Sequence, residues 1–406
     1  MNNSDVAACT IVSMNYYSYA RTLYASFNQH NPGAMFFVLL VDKKPVDVEF
    51  SSEPFEVIEI SDLAIDSFAQ MAFQFDIVEL NTNVKPAFME FILKERNISK
   101  LIYLDPDILV YRSMEHLIEL LDSYEIILTP HCNSRIDDNL RPSEQDFLQN
   151  GVFNLGFIAV SNGNEAFKFL DWWGNRCLML GFSETRTGLF VDQKWVNFAP
   201  CFFDRVLILK HPGYNMAYWN LHERILDQQE EHWTVNGYPL VFYHFSGIDV
   251  YNQQQISKHQ NRYDLQIRPD LKQIFDEYRT LLLNNGYEDY RTCAYGYGTF
   301  SNGKRITHVA RRLYAANKDS LGNADPFSSD GEVYAWCNRN GFFSKEDQSG
   351  VYNALTYDKN DYRVRAINYC LKLLLGIFGA NRYTLLMKYL SYISVLRNQK
   401  NIFPVK

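Results

Sequence analysis

The sequence predicts an α/β protein, a mixed sheet flanked by helices, followed by a mainly helical C-terminal extension. Three observations carry this: apolar runs alternate with segments of helical spacing over the first half, strand-like runs stop near residue 265, and 47% of the 406 residues are hydrophobic, enough for a large buried core. The predicted division is a domain over 1–265 and an extension over 266–406.

The elements follow in order. "CTIVSM" (9–14) and "MFFVLLV" (35–41) are near-continuous apolar runs, as central strands covered on both faces require. Between them Tyr16, Ala20, Leu23, Tyr24 and Phe27 recur at helical spacing, and "NPG" (31–33) ends the segment, completing a β-α-β unit. "FEVIEI" (55–60), a helix entered at "NTNVKPAFMEFIL" with Pro86 in its first turn, and "KLIYL" (100–104) repeat the pattern. Apolar runs at 124–129, 156–160, 206–209 and 240–243 are expected to complete the sheet. "LKQIFDEYRTLLLNNG" reads as a helix ending at Gly286, and 316–360 as an irregular connector or small subdomain.

Charge and composition exclude some classes. A net charge of −8 lacks the basic footprint of a nucleic-acid binder. The seven scattered cysteines form no CxxC pair, so neither a zinc site nor a disulfide scaffold is expected, and a reducing cytoplasm fits. The N-terminal stretch has no charged start and no long apolar run, so no secretory signal is read there. No GxGxxG or Walker A sequence follows the first strand, which removes the usual phosphate-cradling glycines of dinucleotide oxidoreductases and P-loop enzymes. From 362 to 406 there are eight Lys or Arg and no Asp or Glu, in two apolar-periodic segments parted by "GAN". Lys372, Arg382 and Lys388 interrupt this region, so no membrane-crossing span is expected; a helical hairpin that packs or dimerises and a basic attachment to an anionic membrane surface both remain open.

The chemical signal lies in "LIYLDPDILVY" (101–111). A residue before proline is pushed toward extended geometry, and in extended chain Asp105 and Asp107 share a face. They stand past the C-terminal end of a predicted strand, where open α/β sheets bind ligands. Two carboxylates this close repel, and a hard divalent cation would stabilise both as anions. The alternative is a surface turn whose aspartates bond nearby amides.

"YLDPDILVY" resembles the metal-binding D-x-D signature of GT-A glycosyltransferases. "TIVSMNYYSYARTLYASF", "VFNLGFIAV" (152–160), "GLFVDQKWVN" (188–197) and "YHFSGID" (243–249) resemble, in the same order, segments of the family 8 enzymes, the glycogenin-like and lipopolysaccharide-galactosyltransferase-like group. The resemblance covers about residues 8 to 260 and implies a GT-A domain and a metal-dependent hexosyltransferase. It makes His244 the third ligand beside Asp105 and Asp107, and this mixed oxygen and nitrogen set suits Mn²⁺ or Mg²⁺. It places Val12, Ser13, Asn15 and Tyr16 around the nucleotide's base and ribose, with Tyr16 either stacking there or buried over Ala20. Lys85 faces the donor's charge or is a solvated first-turn lysine. Gly247, beside Ser246, lets backbone amides approach a diphosphate. Asn154 and Gly156 border the donor sugar, and Asp192 and Gln193 bond its hydroxyls, with an N-cap at Asp192 compatible.

The resemblance further implies transfer from a nucleotide-sugar donor such as a UDP-hexose to a glycan, lipid-linked or protein acceptor, with retention, in polysaccharide, glycolipid or glycoprotein assembly. Two departures stand out. The family's H-x-x-G-x-x-K-P-W becomes "HFSGIDVYNQQQISK", which leaves Lys258 as the first lysine for the diphosphate, and Lys194 replaces the acid after the D-Q pair. Trp219 and Asn220, in an aromatic-rich stretch, are placed near the acceptor. A sugar-nucleotide nucleotidyltransferase and an inactive sugar-nucleotide-binding module are the alternative readings.

Overall fold

The computed structural model describes residues 5–44, 48–230, 232–343 and 361–405. The chain divides into two compact units, Met1–Gly298 and Thr299–Lys406.

The first unit is built on a seven-stranded sheet. Its strands are β1 (Val6–Val12), β2 (Met35–Leu40), β3 (Glu56–Glu59), β4 (Lys100–Leu104), β6 (Ile126–Pro130), β7 (Phe153–Ser161) and Val206–Ile208. The spatial order is Val206–Ile208, β6, β7, β4, β1, β2, β3. β7 alone runs against its neighbours, antiparallel to both β4 and β6, while the other pairs are parallel. The central strands read as unbroken apolar runs because they are covered on both faces: β1 is buried at every position. Helix α1 (Tyr17–His30) packs Tyr17, Ala20, Leu23 and Phe27 into one core cluster with β1, β2 and β4.

The predicted strand at 240–243 is an exception. Phe242–His244 does not join the main sheet; it pairs antiparallel with β5 (Ile108–Val110) in a separate two-stranded ribbon, His244 opposite Ile108. The reading of 105–107 as plain extended chain also changes. The Ile108 N–H donates to the Asp105 carbonyl (3.2 Å), so Asp105-Pro106-Asp107-Ile108 is a turn with proline in its second position, connecting β4 to β5.

The first unit extends past the predicted boundary near 265, to Gly298. Helix Lys272–Asn284 buries Ile274, Phe275, Tyr278 and Leu282 in the cluster that holds Tyr243 and Phe245, and the Phe245 and Tyr278 rings stack 4.0 Å apart. Each such side chain contributes about 1.5–3 kcal/mol of burial, so this helix belongs with the first unit.

In the second unit, part of the predicted irregular stretch is helical, at His308–Leu321 and Glu332–Arg339; positions 344–360 lie outside the described residues. The last helix, Tyr362–Ile393, corrects the expectation for the C-terminal stretch: by length and composition it is long and apolar enough to cross a membrane. Gly379 (φ 75°, ψ 166°) breaks it within the "GAN" stretch.

Candidate active site

The Pro106 turn and the ribbon bring three ligating side chains together. The amide of Asp105 donates to the Gly156 carbonyl (2.7 Å), and the amide of Phe245 donates to the Asp107 carbonyl (2.8 Å), which fixes both ends of the turn. One ligating atom each from Asp105, Asp107 and His244 then lies within 4.8 Å of the other two. His244 Nε2 is 2.9 Å from Asp107 Oδ1 and 3.9 Å from Asp105 Oδ2, with His244 buried and both aspartates partly open. Asp105 Oδ1 also accepts a hydrogen bond from the Tyr103 hydroxyl (2.7 Å). Burial alone would lower the pKa of His244, yet the facing carboxylates, Asp107 foremost, raise it above the ordinary imidazole value.

The other ring nitrogen is held by a residue that sequence reasoning missed. His244 Nδ1 is 3.3 Å from Asn215 Oδ1. The Asn215 amide nitrogen donates to Thr129 Oγ1 (2.9 Å) and Asn154 Oδ1 (3.0 Å), so its oxygen is the atom that faces the ring. An amide oxygen can only accept, so the proton sits on Nδ1 and Nε2 is left to ligate. Asn215 adopts φ 54°, a left-handed conformation in which asparagine is enriched, inside "HPGYNM"; that is the only sequence signal it gave. Replacing Asn215 with Ala should weaken Mn²⁺ binding roughly 10–100-fold, read by calorimetric titration, with the metal-free melting temperature as the control for a purely structural effect.

Gly156 faces the same point from β7. A Cβ there would lie 2.3 Å from His244 Cε1 and 2.8 Å from Asp105 Oδ2. The backbone conformation does not demand glycine; the space does. Gly156→Ala is therefore expected to remove metal-dependent stabilisation in a thermal shift assay while the sheet persists. Asn154 accepts from the Gly156 amide (3.2 Å) and from Asn215, tying this strand end to the imidazole.

Lys85 is not a solvated lysine. It opens helix α4 (Lys85–Glu95), which follows α2 (Phe68–Gln74) and α3 (Ile77–Asn83), and is 1% exposed. Its ammonium pairs with Asp192 Oδ2 (2.8 Å), donates to the Leu155 carbonyl (2.8 Å) and lies 4.3 Å from the centre of the Tyr103 ring. Burial raises the pKa of Asp192, and Lys85 offsets part of that rise. Asp192 does precede the short helix Gln193–Phe198, but its side chain makes no capping bond because it is committed to Lys85. Gln193 is also occupied: its oxygen accepts from the Leu155 amide (3.1 Å) and its nitrogen donates to the Asn150 carbonyl (2.9 Å).

Val12 and Ser13 are buried at the C-terminal end of β1, and Asn15 is partly exposed in the short turn of helix Met14–Tyr16. Tyr16 is 40% exposed rather than packed in the core, and its ring stacks on Tyr19 at 4.6 Å. Desolvation and then the Asp107 carboxylate push its phenol up to about 12. Gly247 adopts φ +73°, and a Cβ there would strike His259 Cδ2 at 2.5 Å and Ser257 Oγ at 2.6 Å. The Lys258 amide donates to the Gly247 carbonyl (3.0 Å), so its exposed side chain emerges beside that turn. Trp219 does not offer an open ring face: it is 2% exposed and packs edge-on against His244 at 5.0 Å, while Asn220 bonds the His131 and Asn215 carbonyls. Both support the imidazole from behind.

No protein-family model matches the chain. Among curated proteins it is similar to two uncharacterised proteins of Bacillus subtilis (strain 168): YfnF, 24% identical over 258 residues that cover 62% of this chain and 84% of that protein, and YfnD, 23% identical over 255 residues, 61% and 79%. Among solved structures it is similar to the galactosyltransferase LgtC in complex with donor and acceptor sugar analogues (14% identity, TM-score 0.41, covering 69% of this chain and 96% of that one). It is also similar to the glycosyltransferase GlyE of Streptococcus pneumoniae TIGR4 (16% identity, TM-score 0.39, 76% and 74%).

Proposed function

We propose that this chain is a metal-dependent glycosyltransferase that moves a hexose from a nucleoside-diphosphate donor, UDP-hexose first among them, to a glycan, lipid-linked or protein acceptor at the cytoplasmic side of surface-polysaccharide, glycolipid or glycoprotein assembly. The observation that carries the reading is the convergence of Asp105, Asp107 and His244 at the ligand-binding edge of a mixed α/β sheet. Two carboxylates and an imidazole whose free nitrogen is set by Asn215 fit Mn²⁺ or Mg²⁺. Such an ion, when bound, supplies positive charge against a diphosphate leaving group.

The chain's own residues do the rest. Val12, Ser13, Asn15 and the exposed face of Tyr16 receive the nucleoside. Gly156 keeps side-chain bulk away from His244 and Asp105 and, with Asn154, borders the donor sugar, while Gly247 and Lys258 border the diphosphate. Asp192 and Gln193 are held by Lys85 and by main chain, so neither is poised as a general base, which inversion would need, or as a nucleophile; this favours transfer with retention and without a covalent enzyme intermediate. The acceptor hydroxyl then attacks from the side of the leaving group, and the departing phosphate oxygen takes its proton.

The test is a panel of UDP-, GDP- and dTDP-sugars with Mn²⁺, scored for metal-dependent thermal shift and for donor hydrolysis or transfer. Release of the nucleoside diphosphate supports the reading. Pyrophosphate release would identify a nucleotidyltransferase instead, and failure of every nucleotide to stabilise the protein in any metal would leave a non-catalytic module.

A further inference from the structure

The strongest feature outside the site is the last helix. None of the residues of Tyr362–Ile393 is buried, and Ile367, Leu373, Ile377, Phe378, Leu385 and Leu390 are all at least 42% exposed. Contiguous exposed apolar surface of this kind marks an interaction face. We propose that this helix lies in the interface of an anionic lipid bilayer.

The break at Gly379 decides against simple crossing. It leaves limbs over 362–378 and 380–393, about 25 and 21 Å long at 1.5 Å per residue, each short of the roughly 30 Å hydrocarbon core. Each limb is amphipathic in its own right. Arg365, Asn368 and Lys372 recur along one line of the first, and Thr384, Lys388 and Ser391 along one line of the second. The remaining arc is apolar apart from Arg363 in the first limb and Arg382 in the second, whose long side chains can reach up to the headgroups, and it is wider than the ~100° stripe that a helix presents to a protein core, a form suited to sinking into a headgroup layer.

Charge selects the occupant. The stretch from 362 onward carries eight positive charges and no negative one, while the whole chain sums to −8, so the remainder carries −16. A second copy of this region would set like charges against like, whereas anionic headgroups complement it. Arg363 is partly spent on Asp361 (2.7 Å), and the cations most informative to test are Lys372, Arg382 and Lys388.

The experiment is co-sedimentation of the full chain with phosphatidylcholine vesicles with and without phosphatidylglycerol, a readout independent of any transferase activity. Binding is expected only to the anionic vesicles and is expected to be lost as salt is raised. Changing Lys372, Arg382 and Lys388 to Gln should weaken it roughly fivefold per cation, and L373E with I377E should abolish it without lowering the melting temperature, since both side chains are exposed. Absence of binding to anionic vesicles at low salt, or equal binding to neutral ones, overturns the proposal. So does a lipid-free dimer that L373E with I377E dissociates and that does not bind vesicles.

Discussion

Asp107→Ala is expected to reduce sugar transfer by on the order of 10³-fold or more and to abolish the rise in melting temperature that Mn²⁺ produces. The physical reason is local. Asp107 Oδ1 is the ligating atom nearest His244 Nε2, at 2.9 Å, and its loss leaves two ligating side chains where three converge. The turn itself should survive, because the Asp107 carbonyl that receives the Phe245 amide is untouched. Steady-state kinetics with a responsive sugar nucleotide, together with thermal shift across a Mn²⁺ series, check both halves. Normal turnover in this variant would remove the acidic pair from the mechanism.

Lys85→Met is expected to have the largest effect on stability. The Lys85–Asp192 pair is buried, each side chain 2% exposed, and removing one member strands the other in a site that water does not reach. Breaking such a pair costs about 3–5 kcal/mol, which corresponds to a fall of roughly 6–10 °C in the melting temperature of a unit this large. The raised pKa of Asp192 allows it to take up a proton and recover part of that loss. A double variant, Lys85→Met with Asp192→Leu, should melt well above the single one. A double variant no more stable than Lys85→Met would show that the coupling between the two side chains is not what the geometry indicates.

The parts of this molecule that were legible in the sequence are those that physical chemistry writes locally. The central strands of the main sheet announce themselves by apolar runs, since strands covered on both faces tolerate little else. The acidic pair is visible because two like charges beside a strand end require an explanation. The resemblance supplied His244, and the ribbon brings it within reach of both aspartates. What escaped was set by partners distant in the chain. Nothing around Lys85 predicts that its ammonium meets an aspartate more than a hundred residues later, and "HPGYNM" does not disclose that its asparagine supports an imidazole. The run at 240–243 has the composition of a sheet strand, but it pairs with β5 because the Pro106 turn redirects that segment out of the main sheet. Trp219 looked available because aromatic composition does not distinguish a ring that meets solvent from one packed against His244.

The ribbon that joins β5 to Phe242–His244 also governs the order in which the molecule can be completed. Its two strands close a loop of more than a hundred residues, so the chain must spend that entropy before the imidazole meets the aspartates. A nascent chain still lacking residue 244 therefore has only two of the three converging ligands, and a divalent cation present during refolding should slow the reopening of this closure rather than hasten its formation.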